Sequence, residues 1–340
     1  MPSARVNYAI VGGLRDDYFI TPDGQAHLHQ LGGNALYAAV GARLWADSPA
    51  GGVGVIARVG ANFPLEWLGD IERRGIDVAG VVVRPEPLDN RTFYAYRSLE
   101  ERDDTEPAAH FQRIGRPLPP ALAGYATSTN GQEDPAGYSP LGVRPEEMNP
   151  RYLEARAFHL APFDFAVHLA LPRLLRRPGR VLTCDPSVRY MQPQYAAEVH
   201  AILSDLDAFL PSEMETRAFF DGRLDDLWQA AEAFGAMGAR AVVHKLGARG
   251  QFVYDAPSRQ RWHVPAVQAR VVDVTGAGDA YCGGFLVGLA ETGDPLEAAL
   301  RGCVSASLVV EGTGALYALD QAAEQTRLRL AALRPAVRTI

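Results

Sequence analysis

Short apolar runs alternate with amphipathic stretches along most of the chain. "NYAIVGG" (7–13) is an apolar run closed by glycines and predicts a buried first strand. "DDYFITPDGQAHLHQLGG" (16–33) places a Pro-Asp-Gly turn between two half-polar runs, which predicts a hairpin. "NALYAAVGARLWA" (34–46) spaces small and apolar residues as a helix does, with Asn34 in the N-cap place. "GGVGVIARVG" (51–60) reads as a buried strand, and "FPLEWLGDIERRGI" (63–76) as an amphipathic helix that stops at Gly75. "RTFYAYRSL" (91–99) alternates aromatic with polar residues, as a half-exposed strand does.

Further on, "AFHLAP", "RVLTCDPS", "AFLPSE" and "AVVHKLG" predict short strands, "LWQAAEAFGAMG" (227–238) predicts a helix between two of them, and the last third reads as mostly helical. Such alternation predicts a mostly parallel sheet covered by helices on both faces. The half-polar pairs near 17–31 and 89–98 predict a small sheet that leaves the main body and returns. Residues 101–150 break the pattern with 8 of the chain's 24 prolines. They read as a loop-rich insertion on the surface or on a lid. No linker divides the chain and no repeat is visible, so 1–340 is expected to be one domain.

Composition narrows the function classes. Hydrophobic residues make up 47% and charged ones 21% of 340, the proportions of a globular protein with a full core. The net charge of −7 argues against a nucleic-acid partner. No apolar run reaches the ~18 residues of a membrane span, and the start reads as a first strand rather than a signal peptide. Cys184, Cys282 and Cys303 are too scattered for a metal site or disulfide framework, which fits a reduced, cytoplasmic setting. Two motif leads fail. "GVGVIA" (52–57) fits a dinucleotide fingerprint, but "RVG" follows where a helix is required. No G-x-x-x-x-G-K-[ST] occurs, which excludes a P-loop kinase by pattern.

"VVDVTGAGDAYCGGFLVGLA" (271–290) carries the chemistry. A strand-like run, a glycine turn and a helix follow one another. The first N–H groups of a helix lack partners and carry partial positive charge. Glycine lets an anion approach them. Gly276, Ala277 and Gly278 therefore form a candidate anion hole, with Asp279 in the first helical turn beside it. A carboxylate there can take a proton from an attacking hydroxyl while the N–H groups hold a phosphoryl group. A glycine turn with a capping acid is the plainer alternative.

Asp273-Val-Thr275-Gly-Ala-Gly-Asp279, with small residues at 283 and 284, resembles the C-terminal signature of the ribokinase-like carbohydrate kinases, also called the phosphofructokinase-B type. Other pieces fall in the family's order: Gly32-Gly33-Asn34, "VIARVGANFP" through "GID", "CDPSVR" (184–189) and "KLGARG" (245–250). The resemblance implies a three-layer αβα sandwich with a mostly parallel sheet and a small β lid, from about 14–32 and 88–115. It implies ATP-dependent phosphorylation of a sugar or sugar-like hydroxyl with Mg²⁺ on the nucleotide. Asp279 then matches the general base and 276–278 the γ-phosphate site. Asp17, with Asp16 as the alternative, matches the carboxylate that binds sugar hydroxyls, and Gly32, Gly33 and Asn34 line the acceptor site.

The chain also departs from the family. Ser212 stands where the family usually has an Asn ahead of Glu215; a serine can still donate to a phosphate or water but is shorter and has no amide, and Glu215 is expected to meet Mg²⁺ through water. Tyr37 stands where many sugar kinases place an Asn, offering stacking in place of an amide. A nucleoside kinase, with Tyr37 and "TFYAY" (92–96) stacking a base, is the second reading, and a non-catalytic sugar- or nucleotide-binding relative the third. Lys245, Gly247, Gly250 and Thr275 fall on the nucleotide side, where Lys245 either meets phosphates or ends its strand in solvent. Asp273 and Thr275 either join a K⁺ loop with 311–315 or are ordinary loop residues. The family's lids often pair, which implies a homodimer.

Overall fold

The computed structural model describes residues 5–46, 52–99, 101–127, 129–224, 226–321 and 323–340. Strands β1 (Val6–Val11), β2 (Arg15–Ile20) and β3 (Ala26–Gly32) lead into helix α1 (Asn34–Arg43). Then come β4 (Gly52–Val59), α2 (Leu65–Arg73), β5 (Ile76–Val83), β6 (Arg91–Tyr96), β7 (Arg102–Asp103) and α3 (Pro107–Arg113). The middle holds β8 (Ala157–Leu160), α4 (Phe165–Leu175), β9 (Val181–Cys184), α5 (Ala196–Leu203), β10 (Ala208–Phe209), α6 (Glu213–Phe220), α7 (Leu227–Ala236) and β11 (Ala241–Lys245). Last are β12 (Gln251–Asp255), β13 (Gln260–Val264), α8 (Ala277–Thr292), α9 (Pro295–Val309), α10 (Ala323–Leu333) and β14 (Arg338–Thr339).

Among the described residues these strands form two sheets. The large one runs β14-β13-β12-β11-β10-β9-β8-β1-β4-β5, and its strands from β11 to β5 are parallel. Side-chain parity builds the layers: Tyr8 and Ile10 of β1 pack with α1, α8 and α9 on one face, Ala9 and Val11 with α4, α5 and α7 on the other. The expected αβα sandwich is therefore present. The small sheet, β3-β2-β6-β7, stands apart. Its outer side, Tyr18, Ile20, Phe93 and Ala95, is covered by Phe111 and Leu122.

Three sequence expectations change. The last third is less helical than its composition suggests, because β12, β13 and β14 extend the large sheet antiparallel. β12 and β13 have five residues each and β14 two, too short for periodicity to separate from loop. Gly33 caps α1 in place of Asn34, with φ of 103° and no room for a Cβ beside the Gly13 carbonyl. The 101–150 segment divides: Phe111 and Leu122 cover the small sheet, as the lid alternative has it, but Leu141, Val143 and Met148 are buried in the core around Tyr152 rather than on the surface.

Candidate active site

Ligands of open α/β sheets bind beyond the carboxyl ends of the strands, where strand order reverses. Here that place is β1, flanked by β4 on one side and β8 on the other. The chain leaves β1 through Gly12 and Gly13 into β2, so the small sheet rises from this point. Helix α8 brings its N-terminus to the same end because small residues let it lie against α1. A Cβ on Gly283 would overlap the Ala38 carbonyl, and one on Gly41 the Ala280 carbonyl.

The turn before α8 leaves backbone donors free, though not at all three of the positions expected. Gly276 is the N-cap, at φ 74° and without a capping side chain. The N–H of Ala277 donates to Val274 O at 3.2 Å, while among the described residues no backbone carbonyl takes those of Gly278 or Asp279. Thus Ala277 shapes the turn, and 278 and 279 present the free donors. The two glycines differ in kind. A Cβ on Gly276 would run into the ring of Tyr37, whereas one on Gly278 would meet nothing nearer than Lys245 Nζ, 3.7 Å away. Tyr37 is buried with its ring against this turn, so that face is spent on the protein rather than offered to a ligand.

Asp279 is half-buried at the start of α8. Burial pushes its pKa up to about 7; Lys245 and Arg102 pull it down, and Asp17 and Glu215 push it up further. Beneath it lies a charged group set by the ends of β9 and β11. Lys245 Nζ is ion-paired to Asp185, and Cys282 Sγ stands 3.5 Å from the same carboxylate. Burial pulls the pKa of Lys245 down, but Asp185, Cys282 and Glu215 hold it above the ordinary value. Lys245 therefore does not end its strand in solvent. Ser212 and Glu215 form a capping box on α6, with Glu215 Oε2 accepting from Ser212 N at 2.7 Å and from Ser212 Oγ at 2.8 Å. Burial and Asp185 raise the Glu215 carboxyl. Among the described residues no three His, Cys, Asp or Glu side chains converge as a metal site.

The small sheet supplies the opposite wall. Asp17 is buried, takes a hydrogen bond from Thr92 on the paired strand β6, and has its pKa pushed up to about 6 by burial. Gly32 leaves space that the Asp17 carboxylate fills, and Gly33 N–H donates to it. The glycine pair thus seats Asp17. Asp16 points the other way, to His29 at 3.0 Å and to Tyr18, so Asp17 is the carboxylate on this side. The Asn34 amide is held by backbone at both ends, accepting from Gly13 N at 2.8 Å and donating to Pro162 O at 2.5 Å. It clasps two loops together.

Four residues of this wall carry no motif: Arg15, Tyr94, Tyr96 and Arg102. Arg15 is buried two places before Asp17 on β2, and its Nη1 has no hydrogen-bond partner. Tyr94 and Tyr96 share the parity of Thr92 on β6. Tyr96 Oη lies 2.8 Å from Thr275 Oγ1, which joins the small sheet to the anion turn. Alternation in "RTFYAY" was the signal available for the tyrosines; nothing local marked the arginines. Asp273 accepts from Thr275 N at 2.9 Å through Oδ1, while its Oδ2 is buried and unpartnered. Gly250, at φ 88°, turns β11 into β12, and Gly247 before it faces open space.

Residues 173–322, which include this turn, match the pfkB family carbohydrate kinase model. Over 298 residues the chain is 28% identical to the cytidine kinase of Thermococcus kodakarensis, covering 87% of this chain and 92% of that one. The chain is similar to the ribokinase-like carbohydrate kinases. Its relatives are named kinases, which makes it a phosphotransferase with an alcohol acceptor, and ribokinase-family kinases use ATP. Solved structures agree in fold. An E. coli protein provisionally named ribokinase II, in complex with ATP and Mg²⁺, superposes with TM-score 0.69 at 18% identity, over 97% of this chain and 99% of that one. The Burkholderia thailandensis nucleoside kinase, in complex with inosine, gives TM-score 0.67 at 17% identity, over 96% and 98%. No described helix of this kinase is long and apolar enough to cross a membrane.

Proposed function

We propose that this kinase moves the γ-phosphoryl group of ATP to a hydroxyl of a ribosyl compound held between Asp17 and Asp279. The observation that carries this reading is that the Asp17 carboxylate of the small sheet lies close enough to act on Asp279, beside the free N–H groups of Gly278 and Asp279. Asp17 accepts from acceptor hydroxyls, as a carboxylate can from two neighbours. Asp279 takes the proton of the attacking hydroxyl. That oxygen bonds to the γ-phosphorus, the bond to the ADP oxygen breaks, and the 278–279 donors and Lys245 stabilise the charge. Its raised pKa suits Asp279 to this near neutral pH. The small sheet acts as the lid of a single kinase domain and keeps water out.

Mg²⁺ would neutralise charge on the nucleotide phosphates. With no converging ligand set among the described residues, and with Glu215 engaged by Ser212, it would ride on the nucleotide and meet Glu215 through water. The orphaned Asp273 Oδ2 fits one ligand of a K⁺ site beside the turn.

For the acceptor, a nucleoside is the first reading. The cytidine kinase relative spans nearly the whole chain, and the tyrosines of β6 give the cleft an aromatic wall. A free sugar is the second, because the Tyr37 ring is spent on Gly276 and Arg102 covers Tyr94. A screen of nucleosides, sugars and sugar acids with ATP and Mg²⁺, read by ADP release and product mass, tests this. Selective turnover of nucleosides supports the first reading, and of sugars the second. Binding of nucleotide without turnover of any acceptor refutes both.

A further inference from the structure

Arg102 lies outside every motif, yet its surroundings tie it to the reacting groups. It sits on β7, the short edge strand of the small sheet, with its guanidinium carbon 4.3 Å from the centre of the Tyr94 ring. The same guanidinium hydrogen-bonds Tyr96, whose hydroxyl is 2.8 Å from Thr275 Oγ1. Thr275 directly precedes Gly276. An unbroken series of contacts, Arg102 to Tyr96 to Thr275, thus runs from the edge of the small sheet to the anion turn. The charge of Arg102 acts on Asp279, and Asp279 acts on it in return. No carboxylate forms an ion pair with this guanidinium among the described residues; two phenols hold it in place. A phenol neutralises no charge, so the guanidinium keeps its capacity for an anion.

We propose that Arg102 is a catalytic residue that the small sheet delivers: with the sheet closed, its guanidinium contacts the γ-phosphoryl group in flight between ATP and the acceptor. The contact changes no bond and moves no proton. It spreads the negative charge of the three equatorial oxygens, as a mobile arginine does in other phosphoryl transfers. Tyr94 and Tyr96 orient it, the first by stacking and the second by its hydrogen bond. Delivery depends on closure, since β7 reaches the cleft only through the small sheet. Opening the sheet removes the cation as it admits water, so ATP is protected from hydrolysis while no acceptor is bound. This inference rests on the assignment of Asp279 and its turn to phosphoryl transfer.

Replacing Arg102 by Met and by Lys tests it in the full-length kinase, with the acceptor found by the screen. Residue 102 lies on an exposed edge strand outside the core clusters, so both variants should keep a cooperative melt. The expected result for Arg102→Met is a kcat lower by ~10²–10³-fold with the KM for ATP within about threefold, since the contact is made in the transition state. Arg102→Lys should recover part of that loss, because the charge returns without the planar fork. The acid limb of the kcat profile should move to higher pH in Arg102→Met. The groups facing Asp279 are Arg102 of β7, Asp17 of β2, Tyr37 of α1, Asp185 after β9, Lys245 of β11, Glu215 of α6 and Cys282 of α8, and loss of one of the two cations leaves the carboxylate easier to protonate. A kcat within twofold of the parent, a loss wholly in KM, or an unmoved acid limb overturns the proposal. Asp279→Asn separates the two ideas: full turnover there removes the base and leaves the Arg102 result to stand or fall by itself.

Discussion

Asp279→Asn should inactivate the kinase and stabilise it, and the two effects share one cause. The native carboxyl has its pKa pushed from 3.8 up to about 7, chiefly by burial. Roughly three pKa units at about 1.36 kcal/mol each give about 4 kcal/mol against the ionised form. Residue 279 is only half-buried, so solvent screening brings this to about 2 kcal/mol. The sign follows from linkage. Below the unfolded value of 3.8 the group is protonated in both states and contributes nothing. As pH rises the unfolded chain ionises first, and the native state loses stability until its own carboxyl ionises near 7. Asparagine carries no such cost. The variant should therefore melt roughly 4 °C above the parent at pH 8, with the difference shrinking toward zero near pH 4. Turnover should fall by ~10²–10⁴-fold, because only the proton acceptor is lost, and ATP affinity should hold. Thermal melts across pH and a coupled ADP assay read both. A melting difference that does not vary with pH, or turnover within tenfold of the parent, would refute the reasoning.

The two turn glycines should respond differently to substitution. Gly276→Ala forces a Cβ into the Tyr37 ring at positive φ and should lower both stability and ATP affinity. Gly278→Val finds open space in the fold and should leave the melting temperature unchanged while raising the KM for ATP; titration of ATP against both variants shows the contrast. Lys245→Met removes a cation from beside Asp279, so the acid limb of the kcat profile should move to higher pH. It also strands Asp185 as an unpaired buried charge, worth about 3–5 kcal/mol of stability in a urea melt. Deleting 130–148 removes Leu141, Val143 and Met148 from the core and should give insoluble or non-cooperatively melting protein, while a cooperative melt would return the segment to the surface.

What could be read from sequence was local. The turn at 276–279 is legible because glycine, glycine and acid next to an apolar helix form one short physical device. The layers are legible because parity and helical spacing repeat along each element. Arg15 and Arg102 were not legible. Arg15 acts through the pairing of β2 with β6, which joins residues about 75 places apart; Arg102 pairs locally with Tyr96, but reaches the turn only through the Tyr96–Thr275 contact, which spans 179 places. Asn34 and Tyr37 were expected to meet an acceptor, but their contacts here are with the protein itself. Asn34 is held by Gly13 and Pro162, and Tyr37 by Gly276, contacts that depend on how α1, β8 and α8 meet. The insertion was misjudged because its apolar residues are scattered among prolines and never form a periodic run. Burial there is set by what lies beneath.

The central claim is that an acceptor hydroxyl lies between Asp17 and Asp279, in line with the γ-phosphate. A crystal structure of Asp279→Asn with a non-hydrolysable ATP analogue and the acceptor tests it most directly. The account predicts the reacting hydroxyl within about 3 Å of the residue 279 side chain, the γ-phosphate on the 278–279 N–H groups, and a second hydroxyl on Asp17. An acceptor bound away from residue 279, or a phosphate that does not touch the turn, would contradict it.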